Sequence, residues 1–353
     1  MIELLKNETT NFKNFSTMKS FLGDQDARKS DRFVEFNSWE IGEDGLRIKS
    51  QKTNKWKNYM LRDSGMKTML RLFRMPVRYY YEVAPTDMAI RDINRMRDEY
   101  DPKSEFLVFL QKEEDGKRVV RAVSRPTVGH VSNHKTMFDS IDVGKNLFEG
   151  GSYSDLGMRI VTSDDKKQIR VEKGDIINVG VDLVYSDIGL FPTAGNPYLN
   201  RLICTNGMVM KEKHPLLSNF AMSFTSRTTE SQFLESLHTN FANVQADGEV
   251  LQKTFHLMKK NPISSLPDGE RRVKSIRNAV GSERFDEHEK LSRKIMDSES
   301  ETEKILINTD LDLYSLADIV TRMCKSQPYL ERRKVESLVG SLTLAVADNF
   351  IKN

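Results

Sequence analysis

The sequence is poor in the residues and runs that mark secreted, membrane-spanning or metal-stapled proteins. Cysteine occurs only twice in 353 residues, at Cys204 and Cys324, 120 positions apart. That usage fits a reducing compartment and provides no disulfide framework. The opening stretch, MIELLKNETTNFKNF, lacks the basic start and long apolar run of a signal peptide. No segment approaches the roughly 20 apolar residues needed to span a bilayer. The expected setting is the cytoplasm, with no membrane partner. An excess of charge of one sign is also missing, since 54 basic residues against 51 acidic ones leave +3. Only local clustering can then carry an electrostatic argument.

Signatures of chemistry are absent too. There is no GxxxxGK[ST], and Asp142-Val143-Gly144-Lys145 lacks the required leading glycine. GxGxxG, HExxH, GxSxG and paired CxxC are also missing. No cofactor and no catalytic residue is expected, and an enzyme is the lesser alternative. Neither an internal repeat nor a low-complexity tract occurs.

What is present is an ordinary folding composition, 38% hydrophobic and 30% charged. The patterning predicts an α+β fold: a central antiparallel sheet, N-terminal helices, and a mostly helical C-terminal third. Residues 1–30 read as a polar arm, 31–228 as the sheet domain and 229–353 as the helical region. Glu43-Asp44-Gly45 and Glu114-Asp115-Gly116 each separate apolar runs and predict hairpins. Ser163–Lys167 reads as a polar turn, and Ile176–Val184 alternates as a half-buried strand. Ser64 can cap a helix that Pro76 stops, and a second helix is expected from Pro85-Thr86. After Thr228 a stripe of Phe233, Leu237, Phe241, Val244, Leu251, Phe255 and Met258 predicts one long helix bent near Gly248. Segments 269–280, 285–298, 311–326 and 329–350 are expected to be helical.

The sharpest local signal is Arg201-Leu202-Ile203-Cys204-Thr205-Asn206-Gly207-Met208, where Asn-Gly between apolar runs predicts a type I′ turn. This segment resembles one that recurs in a phage/plasmid-like protein family of unknown function. Val120–Ser124, Tyr185-Ser186-Asp187-Ile188-Gly189 and His214 are similar to pieces of that family in the same order. The departure is Arg125-Pro126-Thr127, which lacks the aromatic found there. The resemblance implies a mobile-element context, the host cytoplasm if phage-encoded, and no assigned activity. Its motif residues are Arg201, Cys204, Thr205, Asn206, Gly207 and His214.

Residues 47–82 carry ten basic side chains against two acids, a local +8. Trp56, Tyr59, Phe73 and Tyr79–Tyr81 are interleaved with them. Cations can neutralise phosphates and flat rings can stack unpaired bases. The candidate phosphate contacts are Lys52, Lys55, Lys57, Arg71, Arg74 and Arg78, with Trp56 and Tyr59 stacking. The alternative is a solvated positive surface over a core that keeps its aromatics. Two more basic groups follow: Lys259, Lys260, Arg271, Arg272, Lys274 and Arg277, then Arg322, Lys325, Arg332, Arg333 and Lys334. His130 and His134 have helical ligand spacing but no accompanying carboxylate or cysteine, so no metal is expected. Cys204 reads as a small buried hydrophobe.

The leading expectation is a nucleic-acid-binding protein of phage or plasmid type, binding or annealing single-stranded DNA in replication or recombination. The second is a scaffolding or host-interaction protein, with homo-oligomerisation open in either case. A third, phosphate-directed catalysis, requires Asp187, Arg201 and His214 to converge.

Overall fold

The computed structural model describes residues 9–125, 134–141, 147–201, 206–211, 214–222, 229–295, 304–327 and 329–350. The first described elements are β1 (Thr9–Phe12) and α1 (Phe15–Arg28), which Asn14 caps by accepting the Thr17 N–H. Next come β2 (Arg32–Glu35), β3 (Trp39–Gly42), β4 (Gly45–Lys49) and β5 (Trp56–Leu61). Three helices follow: α2 (Asp63–Leu72), α3 (Val77–Glu82) and α4 (Thr86–Asp98). The hairpin of β6 (Glu105–Lys112) and β7 (Arg118–Ser124) completes a six-stranded sheet in the order β2-β6-β7-β5-β4-β3. All its pairings are antiparallel except β5 with β7. Its inner face packs Trp39, Phe73 and Phe106 with α2 and α4 into one aromatic core.

The short α5 (His134–Ser140) leads to a second sheet of β8 (Leu147–Ser154), β9 (Gly157–Glu172), β10 (Asp175–Tyr185), β11 (Thr193–Arg201) and β12 (Asn206–Val209). β13 (Leu217–Ser218) and β14 (Phe220–Met222) follow. β1 is added at one edge, giving β1-β8-β9-β10-β11-β12, with β14 also on β11. The fold is therefore α+β, with two large sheets rather than one central sheet.

Helices cover both faces of the second sheet. α6 (Glu230–Ala242) joins α1 and α5 on one face, around Met18, Phe138, Phe233 and Leu237. After β15 (Gln245–Ala246), the helices α7 (Gly248–Lys260) and α8 (Gly269–Val280) take the other face. The short α9 (Ser282–Asp286), the hairpin β16 (Ser292–Ile295) and β17 (Lys304–Ile307), α10 (Leu313–Met323) and α11 (Tyr329–Phe350) finish the chain. Along α11, Val335, Val339, Leu342 and Val346 recur at helical spacing and all are buried. Gly340 lets this helix sit tightly on β12, because a Cβ there would lie 2.2 Å from the Val209 carbonyl oxygen.

Several expectations change. Residues 9–28 are not an arm: Phe12, Met18 and Leu22 are buried, and their apolar contacts outweigh the polar look of the segment. The expected long helix breaks at Asn243, and Asp247 caps a new one by accepting the Glu249 and Val250 N–H groups. Its apolar stripe is divided between the two faces of the second sheet. The expected turn at Ser163–Lys167 lies within the continuous strand β9, as a register shift opposite Asn178 and Val179. Of the segment expected to be helical at 285–298, the described residues 285–295 hold the end of α9 and the strand β16. Asn206 and Gly207 are ladder residues of β12, with Asn206 opposite Arg201, so they do not form the two-residue turn. Glycine is needed at 207 because a Cβ would fall 1.6 Å from the Tyr198 hydroxyl oxygen.

Candidate nucleic-acid interface

Four of the eight predicted contact residues gather on one turn. Lys49 lies opposite Trp56 in the β4–β5 ladder, so Lys52, Lys55, Trp56 and Lys57 stand at its tip. The Ser50 N–H donates to the Lys55 carbonyl at 2.9 Å and the Asn54 N–H to the Ser50 carbonyl at 2.8 Å. Asn54 takes the left-handed conformation, φ 55°, which asparagine tolerates better than most residues. Trp56 is 46% exposed, and Lys52, Lys55 and Lys57 on the same turn are exposed as well. Among the described residues no carboxylate pairs with these three lysines.

Tyr59 does not join them. Strand alternation turns it inward, where it is 2% exposed and lies 4.9 Å from the Arg32 guanidinium. It is a core residue and has no free face to stack on a base.

Arg71, Arg74 and Arg78 form a separate exposed group, beside the exposed Tyr79. The Arg62 N–H donates to the Val120 carbonyl and the Thr68 hydroxyl accepts the Val123 N–H, so α2 travels along β7 in the strand's own direction. β5 runs parallel to β7. The helix therefore leads away from Trp56, and strand rise plus helix rise separate the two groups by about 30 Å.

Arg74 holds a left-handed backbone, φ 57°, at the end of α2. Its N–H donates to the Arg71 carbonyl and that of Met75 to Leu70, the pairing of a Schellman cap. Glycine is the usual residue at such a position, and an arginine there costs roughly 1 kcal/mol of backbone strain.

In the other two basic groups, six residues pair with acids. Lys259 meets Glu172 at 2.5 Å, Arg271 meets Asp268 at 3.3 Å, and Arg277 is held by Asp286. Arg322 pairs with Asp318, Arg332 with Glu336 at 3.1 Å, and Arg333 with the buried Asp182 at 2.6 Å. Asp182 also accepts from the buried Arg159, which reaches Glu336 at 2.5 Å. This charge fastens α11 to the second sheet.

The motif residues are structural where they are described. Arg201 grips Asp175 through two nitrogens at 2.8 and 2.9 Å and Asp318 at 3.0 Å, with the Tyr314 ring centroid 4.6 Å away. Tyr314 donates to Asp175 at 2.6 Å, while Lys259 lies 4.7 Å from the same ring. His214 accepts the Leu216 N–H at Nδ1 and donates from Nε2 to Asp348 at 3.0 Å. Cys204, Thr205 and His130 lie outside the described residues.

The catalytic trio does not form. Arg201 sits opposite Ile177 near the start of β10, whereas Asp187 lies just past its end. Asp187 instead belongs to a buried ionic cluster that sequence reasoning missed. Arg121 donates to both Asp187 oxygens at 2.9 and 3.2 Å and lies 3.6 Å from Asp155. Arg62 meets Asp155 at 3.3 Å and Glu113 at 2.6 Å. From α1, Asp26 and Lys29 pair at 2.7 Å, and Lys29 lies 3.4 Å from Asp187. His134 touches Lys29 and Asp26 through Nδ1 and lies 3.5 Å from Asp187 through Nε2.

Burial works against every charge in this cluster. Burial would raise Asp187, but Arg121, His134 and Lys29 outweigh it and hold the carboxyl well below its usual range. Burial is also the largest effect on Asp26, yet the His134 hydrogen bond and the charge on Lys29 bring it to about 2. On Lys29 burial prevails and lowers the ammonium despite Asp187. Burial likewise pushes the Tyr153 phenol upward. The cluster ties the two sheets together, with Arg62, Glu113 and Arg121 from one side and Asp155 and Asp187 from the other.

A backbone irregularity creates that tie. Leu110 pairs with Val120 and Phe109 with Ala122, leaving Arg121 as the extra residue of a β-bulge. A bulge re-aims side chains, and here it turns a strand arginine toward the second sheet.

Among the described residues no group of His, Cys, Asp and Glu is arranged to hold a metal, and no helix is long and apolar enough to cross a membrane. Comparison with protein-family models, curated proteins and solved structures finds no match.

Proposed function

We propose that this protein binds nucleic acid through the β4–β5 turn, preferring single strands. The observation that carries the reading is Trp56, an exposed indole on the same turn as the exposed Lys52, Lys55 and Lys57, which no carboxylate among the described residues neutralises. An indole face stacks on any unpaired base, and lysines gain by releasing counterions from phosphates. Duplexes hide their base faces, which is the reason for the single-strand preference.

Arg71, Arg74, Arg78 and Tyr79 offer a second contact of the same composition. The strain tolerated at Arg74 supports a use for its side chain. The two groups lie on one sheet-and-helix line, so a flexible strand could reach both. The likeness of Arg201–Met208 speaks for a phage or plasmid context, and replication or recombination in the cytoplasm belongs to the same proposal.

The test is fluorescence anisotropy with labelled single-stranded DNA, single-stranded RNA and duplex DNA at low and moderate salt. Binding that falls steeply with salt and is lost in Lys52→Glu/Lys55→Glu/Lys57→Glu is the expected result. Undetectable binding at low salt overturns the proposal.

A further inference from the structure

The hairpin β16–β17 pairs with no third strand among the described residues. Its hydrogen-bonding phase can be read from its base, where the Asn308 N–H donates to the Leu291 carbonyl. That pair continues the register of the hairpin, Ser292 opposite Ile307. Bonded pairs alternate in an antiparallel ladder, so Arg293 with Leu306 and Ile295 with Lys304 exchange the internal bonds. The backbone N–H and C=O of Ile305 and Ile307 then point outward.

A second observation fixes the same phase. Further along that edge, the Thr309 carbonyl accepts the Ser264 N–H and the Leu311 carbonyl accepts the Ile263 N–H, both at 3.0 Å. The odd-numbered residues thus face away from β16, and residues 263–264 cover the edge as far as Thr309. There the chain turns off through a short 3-10 helix at Ile263–Ser265 and begins α8. Beyond that point Ile305 and Ile307 have no backbone partner among the described residues.

Beside them lies a groove of about 440 Å³, lined by Glu270, Lys274, Arg277 and Asn278 of α8 and by Arg293 and Leu306 of the hairpin, among others. The four α8 residues share one helix face. Leu306 is 49% exposed. Arg277 is held by Asp286 and Arg293 by Asp310. Lys274 is exposed and has no acidic partner among the described residues.

We infer that this groove takes an extended peptide of another protein, added to β17 as a third strand and alternating acidic with apolar side chains. The outward groups of Ile305 and Ile307 supply main-chain hydrogen bonds, as in strand addition generally. Successive side chains of an extended segment point to opposite faces. An acidic side chain meets Lys274, and an apolar one covers Leu306. Charge complementarity asks for an acid opposite Lys274, since Arg277 and Arg293 are already neutralised by Asp286 and Asp310.

The experiment uses the full chain and a fluorescein-labelled peptide of alternating glutamate and valine. A matched peptide is N-methylated on alternate backbone nitrogens. Saturable binding is expected, weakened about tenfold or more by N-methylation, which removes main-chain donors, and by Lys274→Glu. Leu306→Asp, at an exposed position, should abolish binding while the circular dichroism spectrum is unchanged. Equal binding of the methylated peptide overturns the inference, as does absence of saturable binding. So does a concentration-dependent dimer in sedimentation that Leu306→Asp dissolves, because a second copy is then the occupant.

Discussion

Arg121 and Asp187 bind each other through two parallel contacts, at 2.9 and 3.2 Å, across the boundary between the two sheets. Neither side chain reaches solvent. Removing one partner leaves a buried, uncompensated charge, which costs about 3–5 kcal/mol. Arg121→Met should lower the unfolding free energy obtained from urea titration by that amount. Arg121→Met with Asp187→Leu should recover much of the loss. A double variant as unstable as the single one would contradict this account of the pair.

Acid should loosen the same junction. Asp26 is ordinarily half protonated near 3.8 but is held at about 2 in the fold. A carboxyl depressed in the folded state contributes stability that is complete above its unfolded value. That contribution is lost as pH falls through 3.8 toward 2. The difference corresponds to about 2 kcal/mol. Asp26→Asn should remove that much of the acid-side slope between pH 5 and about 2, as followed by thermal melts.

Arg74 sets stability against binding. Arg74→Gly relieves the left-handed strain and should raise stability by about 0.5–1 kcal/mol. The same change should weaken binding to single-stranded DNA and lower its salt dependence by roughly one phosphate contact. Paired urea titrations and anisotropy measurements check both halves. A stabilised variant with unchanged affinity would remove Arg74 from the interface.

The two tryptophans separate spectroscopically. Trp39 is buried and Trp56 is exposed, so single-stranded DNA should quench a red-shifted emission component that disappears in Trp56→Phe. Trp56→Ala should cost about 1–3 kcal/mol of binding, the range for one stacked base. Quenching that persists in Trp56→Phe would place the contact elsewhere.

Gly207→Ala tests the motif's structural role. The added methyl meets the Tyr198 ring, with the Tyr198 hydroxyl oxygen nearest at 1.6 Å and Cζ at 2.0 Å. A destabilisation of about 1–3 kcal/mol is expected from overpacking. Tyr198→Phe should not rescue it, since the ring carbon remains. Differential scanning calorimetry of the single and double variants decides.

Local patterns carried much of the fold in the sequence. Hairpin chemistry at Glu43-Asp44-Gly45 and Glu114-Asp115-Gly116 places β3–β4 and β6–β7, and the stripes of α8 and α11 give those helices their observed limits. What stayed hidden depends on distant residues. Arg121 looks like any strand arginine until a one-residue bulge turns it toward Asp187. Asn206-Gly207 carries the composition of a tight turn, but its glycine answers to Tyr198 across the ladder. In the candidate interface, Lys52 to Lys57, singled out by charge density along the chain, stand exposed on one turn. Composition could not separate Trp56 from Tyr59, three residues apart, because the difference is which side of β5 each occupies.

The passage of the chain around the second sheet between Asn243 and Asp247 bears on the order of assembly. β8 to β12 leave the ribosome with one broad surface met only by α1 and α5 and the other still wet. One is sealed when α6 arrives, and the other waits for α7, α8, α10 and α11, the last of which closes over Val209 through Gly340. A nascent chain halted before α11 would therefore present bare sheet, and holdase chaperones should engage it at that stage more than at any later one.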